Sequence, residues 1–155
     1  MDDVHYLTTR FDPELAGVSD IFAQLAAAVG YTATLSIDRR LAQLLRLRVA
    51  QLNPCSYCLI LHTRATADVG VSAAEIAHLP SWRESTMFSE QEQAALAYTE
   101  ALTVFDQQGV AAAHERMTEL FDERGIAEIA AVVINMNLWT RWKLAQGATP
   151  VTGLS

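Results

Sequence analysis

Residues 38–70 read DRRLAQLLRLRVAQLNPCSYCLILHTRATADVG, and their spacing decides the fold. Leu41, Leu44, Leu45, Val49 and Leu52 recur at the period of an amphipathic helix, with Arg39, Arg40, Arg46 and Arg48 as polar relief. A helix is expected from about Asp38 to Leu52. Asn53-Pro54 then offers a cap followed by proline at the first helical position. That predicts a further helix through Cys55, Cys58, His62 and Ala65 to about Val69, stopped by Gly70.

The same punctuation continues outward. Upstream, Asp12-Pro13 reads as a helix start, followed by the stripe Leu15, Val18, Phe22, Leu25 and Val29, with Gly30 as its stop. Tyr31 to Ile37 reads as a connector. Downstream, Ser72-Ala-Ala-Glu75 and Ser89-Glu-Gln-Glu92 are capping boxes. The first opens a short helix ending before Pro80; the second carries Ala95, Leu96, Tyr98, Ala101, Leu102 and Phe105. A helix from about Val110 to Phe121 and a long apolar one from Gly125 to about Ala145 complete the chain. The expectation is one all-α domain over residues 1–155, a compact bundle of six or seven helices with the CxxC at the N-terminus of a central helix.

Composition agrees. Among 155 residues there are 25 alanines against 7 glycines and 4 prolines, and 51% are hydrophobic, which favours helix and a packed core over disorder. The 11 Lys and Arg against 18 Asp and Glu leave a net charge of −7, the wrong sign for a nucleic-acid binder. No apolar run reaches the roughly 18–20 residues of a membrane span. The polar start MDDVHYLTTRFD does not read as a secretory signal, so a cytoplasmic protein is expected. The last helix has more apolar residues than one face can hold (Ile126, Ile129, Val132, Val133, Ile134, Met136, Leu138, Trp139 and Trp142), so it is either central in the fold or buried against another subunit, and with little deep interior in 155 residues an oligomer is expected.

Cys55, Cys58 and His62 stand at i, i+3 and i+7, which on a helix places all three on one face. A disulfide closing so short a loop stabilises little. In a reducing compartment the spacing points to redox chemistry or a metal. A cysteine in the first turn of a helix is stabilised as thiolate by free N–H groups and the macrodipole, which favours Cys55 as the ionised sulfur. A neighbouring thiol can resolve a sulfenic acid as a disulfide, and the imidazole at i+4 from Cys58 can take a proton. The bland reading is two small buried hydrophobes. Zinc is the sharper rival, with Cys55, Cys58 and His62 as three ligands and His5, His78 or His114 as the fourth. There is no second CxxC and no HxxxH to complete it. Covalent haem is excluded because Leu59, not histidine, follows Cys58. No cofactor is implied.

Residues 44–70, LLRLRVAQLNPCSYCLILHTRATADVG, resemble the core motif of the alkylhydroperoxidase D-like, carboxymuconolactone decarboxylase superfamily. The similarity continues in Leu79-Pro-Ser-Trp82, in Phe88-Ser-x-x-Glu92, in Tyr98-Thr-Glu100 and in Asn137-Leu-Trp139-Thr-Arg141, covering roughly residues 36–145. The resemblance implies a thiol-dependent hydroperoxide reductase, with Cys58 attacking the peroxide, Cys55 resolving and His62 in the proton relay. It also implies a trimer or hexamer, the hexamer a trimer of dimers, and an external dithiol or protein reductant. One position departs from it: the relay glutamate expected twelve residues before the first cysteine is Gln43, an amide that cannot carry a proton as a carboxylate does. Glu92 and Glu100 are the alternative carboxylates, although Glu92 reads equally as the capping-box partner of Ser89, and Tyr57 could supply a phenol. The alternative class is a non-redox member, a decarboxylase-like enzyme or small-molecule binding protein. That branch usually lacks the paired cysteines.

Overall fold

The computed structural model describes residues 4–12, 14–28 and 34–152. Pro13, Val29, Gly30 and residues 31–33, with the side chains of Phe22 and Leu25, lie outside the described residues. Seven α-helices follow in order: α1 (Ser19–Ala28), α2 (Arg39–Leu52), α3 (Ser56–Asp68), α4 (Ala73–His78), α5 (Glu90–Thr103), α6 (Gln107–Thr118) and α7 (Glu123–Gln146). A short 3-10 helix, Leu79–Glu84, joins α4 to the α5 region. The all-α expectation holds, with one addition. Strands β1 (Val4–Thr8) and β2 (Ala148–Thr152) pair antiparallel, Val4 opposite Thr152 and Thr8 opposite Ala148. Gly147, in the left-handed region at φ 70°, turns α7 into β2. A Cβ there would collide with Thr9 Oγ1 and crowd the Arg10 backbone, so the left-handed turn and the close approach of the two chain segments call for glycine.

α2 sits at the centre. Leu44, Leu45, Leu47 and Val49 are all but inaccessible, and the helix packs against α3, α5 and α7. Two of the arginines read from the sequence as polar relief instead pair within the chain. Arg40 bridges Glu75 of α4 at 2.5 Å and Glu92 of α5 at 2.8 Å, and Arg48 Nε donates to Glu100 at 2.8 Å. Burial of the surrounding leucines brings three glutamates, from α4 and α5, within reach of one basic helix.

Two expected helix starts are corrected. α1 begins at Ser19 rather than at Asp12-Pro13. Asp12 instead accepts the Glu14 N–H at 2.8 Å in a turn that Gly17, at φ 70°, prevents from continuing as helix. Asn53 is not the N-cap of the CxxC helix. It closes α2, donating its own N–H to Val49, and Cys55 caps α3 two residues later. Smaller shifts occur at Phe105, which is exposed at φ 61° beyond the end of α5, and at the starts of α6 and α7, capped by Asp106 and Asp122. Both capping boxes form as read.

Glu92 therefore closes the cap of α5 and takes one arm of Arg40. Glu92→Ala removes both, and a loss of about 2 kcal/mol is expected from the cap and the charge-assisted bond together. Denaturant unfolding measures it, and a change below a few tenths of a kcal/mol would refute the assignment.

Candidate active site

The buried side chains of α3 form one narrow stripe, Cys58, His62 and Thr66, at i, i+4 and i+8. This face turns toward α2 and α7, where Val49, Ala50, Val133 and Met136 enclose the cysteines. Cys55 is 1% exposed, Cys58 2% and His62 5%. At that burial the sulfurs and the imidazole are shielded from water, which strengthens the polar interactions that each makes.

The corner before α3 sets the geometry. Asn53 Nδ2 donates to Asn137 Oδ1 at 2.9 Å and to Thr140 Oγ1 at 2.8 Å, which ties the end of α2 to α7. The chain then enters α3 with Cys55 extended at φ −96°, ψ 105°, in the position an Asp or Ser would ordinarily cap. Its sulfur accepts the Cys58 N–H at 3.4 Å and lies 2.8 Å from Cys58 Sγ. The hydrogen bond from Cys58 is the largest influence lowering the Cys55 pKa, to about 7. Burial opposes it; the N–H groups of Cys58 and Tyr57 and the charge of Lys143 assist it. The same contact, then burial and then the charge on Cys55, push Cys58 well above the ordinary thiol range. Cys55 ionises first and Cys58 keeps the shared proton. Both cysteines are free thiols.

His62 is held neutral. Burial first, and Arg46 second, lower its pKa to about 4. Its Nδ1 lies 3.3 Å from Gln43 Oε1. An amide oxygen accepts only, so the pairing selects the Nδ1–H tautomer and leaves Nε2 with a lone pair. Thr66 Oγ1 donates to the Gln43 backbone carbonyl at 3.4 Å, steadying the same turn of α2. Gln43, singled out by sequence, is thus in contact with His62. The two carboxylates are committed to other partners. Glu92 binds Ser89 and Arg40, and Glu100 accepts from Arg48, Trp82 Nε1 and Arg83. Among the described residues no group of three His, Cys, Asp or Glu is placed to hold a metal ion.

Two neighbours of the dithiol escape a reading of the sequence. Lys143, near the end of α7, stands 4.5 Å over the Tyr57 ring, and the cysteine charges act on it. Burial, the larger influence, lowers its pKa. Tyr6 of β1 packs against Tyr57 with ring centroids 4.5 Å apart, and burial raises its pKa. A lysine in a last helical turn looks like a dipole complement, and nothing in the local sequence links residue 6 to residue 57.

The model of the carboxymuconolactone decarboxylase family matches residues 17–101, and the chain belongs to that family. It is 30% identical to the uncharacterized protein YdfG of Bacillus subtilis over 118 residues, 76% of this chain and 80% of that one. It is 29% identical to the uncharacterized protein YnjA of Escherichia coli over 118 residues, again 76% of this chain and only 64% of that one. The fold is shared with ATU0492 of Agrobacterium tumefaciens, a protein of unknown function described as a candidate antioxidant defence protein of the AhpD type. There the TM-score is 0.78 at 24% identity, covering 95% of this chain and 99% of the other. It is shared also with the debrominase Bmp8, with TM-score 0.71 at 18% identity, covering 88% of this chain and 72% of that one.

Gln43→Glu places a carboxylate beside His62, and its charge should raise the imidazole pKa from about 4 toward the ordinary histidine range near 6.5. In the native protein the folded value lies below the unfolded one, so stability is present above pH about 6.5 and is lost as pH falls toward 4. The variant should lessen that loss. NMR titration of His62 and acid unfolding test the two halves, and an unmoved midpoint would rule out direct coupling of the side chains.

Proposed function

We propose that this protein is a thiol-dependent hydroperoxide reductase using the Cys55–Cys58 dithiol. The observation that carries the reading is the pair of buried thiols 2.8 Å apart at a helix N-terminus, one with a pKa lowered to about 7. The family supports an enzyme of this superfamily, and two neighbours of similar fold are described in antioxidant or peroxidase terms.

In this reading one proton moves from Cys58 to Cys55 across the short contact, transferring the negative charge to Cys58. The Cys58 thiolate attacks the terminal peroxide oxygen, the O–O bond breaks, and the leaving alkoxide takes up from solvent, by way of His62 Nε2, the proton that Cys55 gave up when it ionised. Cys58 is then a sulfenic acid. Cys55 sulfur attacks it, expelling water and forming the disulfide. Two thiols and one hydroperoxide thus give one disulfide, one alcohol and one water. An external dithiol, small or carried by a protein, returns the pair to thiols. A dithiol of this kind persists in a reducing compartment, which supports the reading of a cytoplasmic protein.

One equivalent of cumene hydroperoxide should remove both thiols, and in Cys55→Ser a sulfenic-acid trap should label Cys58. Two thiols surviving in the folded protein would overturn the redox reading and leave the non-redox class of the superfamily. A label on Cys55 alone, in Cys58→Ser, would reverse the order of attack.

The working form is proposed as a homo-oligomer, a trimer or hexamer. Ile129, Val132, Val133 and Met136 of α7 are buried within the chain, but Ile134 is 50% exposed, and Leu138 and Trp139 are half-buried nearby on the same helix. Ile134→Glu should reduce the mass observed by sedimentation. A native 17.0 kDa species at micromolar concentration would overturn the assembly.

A further inference from the structure

We infer that the groove between α7 and the segment 34–46 binds a small organic anion with an apolar body, and that this is the substrate class delivered to the dithiol. The inference rests on the redox reading only for the ligand's destination; the binding site stands on its own geometry.

Two adjoining cavities of about 370 and 310 Å³ share Thr34, Leu35 and Arg46 among their linings. Each has the size of a small-ligand site. The first runs along α7 past Ala131 and Val132 to Asn135; the second reaches Gln43, whose Oε1 lies against His62. A ligand in the groove would therefore lie one side chain from the imidazole.

Asn135 supplies the direct pointer. It is 3% exposed, it lines the first cavity, and its buried Nδ2 has no hydrogen-bond partner. A buried amide donor left unsatisfied is costly, and beside a cavity an acceptor that enters the cavity can complete it. The remaining polar wall says which acceptor. Among the described residues the one lining carboxylate, Glu128, is taken by the Ser36 and Ile37 N–H groups and by Arg124. The described lining charges are Arg39, Arg46 and Arg124 against Glu128, a balance of 3 − 1 = +2 in a chain of net −7. A local reversal of sign in a concave, partly apolar site concentrates anions. Leu35, Ala131 and Val132 receive the apolar body.

Sodium benzoate, an apolar ring bearing one carboxylate, is the probe. Titration calorimetry on the oligomer as purified should show one benzoate per chain, with neutral benzyl alcohol binding at least tenfold more weakly. Asn135→Leu removes the donor while keeping the branching and number of side-chain heavy atoms, and Ala131→Leu fills the groove; each should weaken benzoate at least tenfold. Because Asn135→Leu removes an unsatisfied buried amide, its Tm should hold or rise, whereas an asparagine kept only for structure would lose stability on replacement. Benzoate affinity unchanged in both variants, no binding to the native protein, or equal affinity for benzyl alcohol would each overturn the proposal. A loss of oligomer mass in Ala131→Leu without benzoate binding would assign the groove to a second copy instead. Benzoate binding in a protein whose thiols survive peroxide would sink the redox reading alone; thiol loss without benzoate binding would sink this one alone.

Discussion

The amide of Asn53 holds the corner on which the rest of the molecule turns. Its two hydrogen bonds pin the end of α2 to Asn137 and Thr140 on α7, and Asn137 in turn donates to Thr103 of α5. One partly buried polar knot therefore orients the end of α2, α5 and α7, and sets the angle at which α3 leaves. At about 1 kcal/mol net for each bond, the knot contributes modestly to stability. Its larger effect is specificity: an apolar contact there would leave the corner free to slide, and Cys55 would lose its place at the head of α3.

From that corner, charge is distributed in a consistent way. Lys143 stands on the side of the thiols and Arg46 on the side of the imidazole. The first favours a negative sulfur; the second disfavours a positive ring. Against the opposing effect of burial on the sulfur, the dithiol ionises first at Cys55 with the proton kept on Cys58, while burial holds His62 neutral. The other arginines of α2 with assigned partners, Arg40 and Arg48, are matched by glutamates and act as struts between helices.

The helices were legible because their signals are local. The stripe of α2, the two capping boxes and the i, i+3, i+7 spacing of Cys55, Cys58 and His62 all lie within one or two turns. Gln43 was also legible, since the resemblance marked a position that the fold brings to His62. What was not legible depends on segments distant in sequence. The pairing of Val4–Thr8 with Ala148–Thr152 needs residues about 145 positions apart, each strand only five residues long. Tyr6 reaches Tyr57, and Glu92 and Glu100 meet arginines 52 positions away, by the same long-range packing. The shift of the α3 start from Asn53 to Cys55 has a different cause. Asn-Pro is a sound cap signal, but α2 ends by using Asn53, so the next available acceptor is sulfur.

A helix capped by sulfur has an end whose strength varies with the electronic state of that atom. A thiolate is a far better hydrogen-bond acceptor than a sulfur bonded to a second sulfur, so the Cys58 N–H is held most firmly when Cys55 is reduced and ionised. The first turn of α3 and the charge on Cys55 are therefore linked equilibria: whatever tightens the turn favours the anion, and whatever discharges the sulfur loosens the turn. The same atom that would exchange electrons with a substrate is also a strut of the secondary structure, and the backbone at residues 55–58 becomes an internal reporter of the protein's oxidation state.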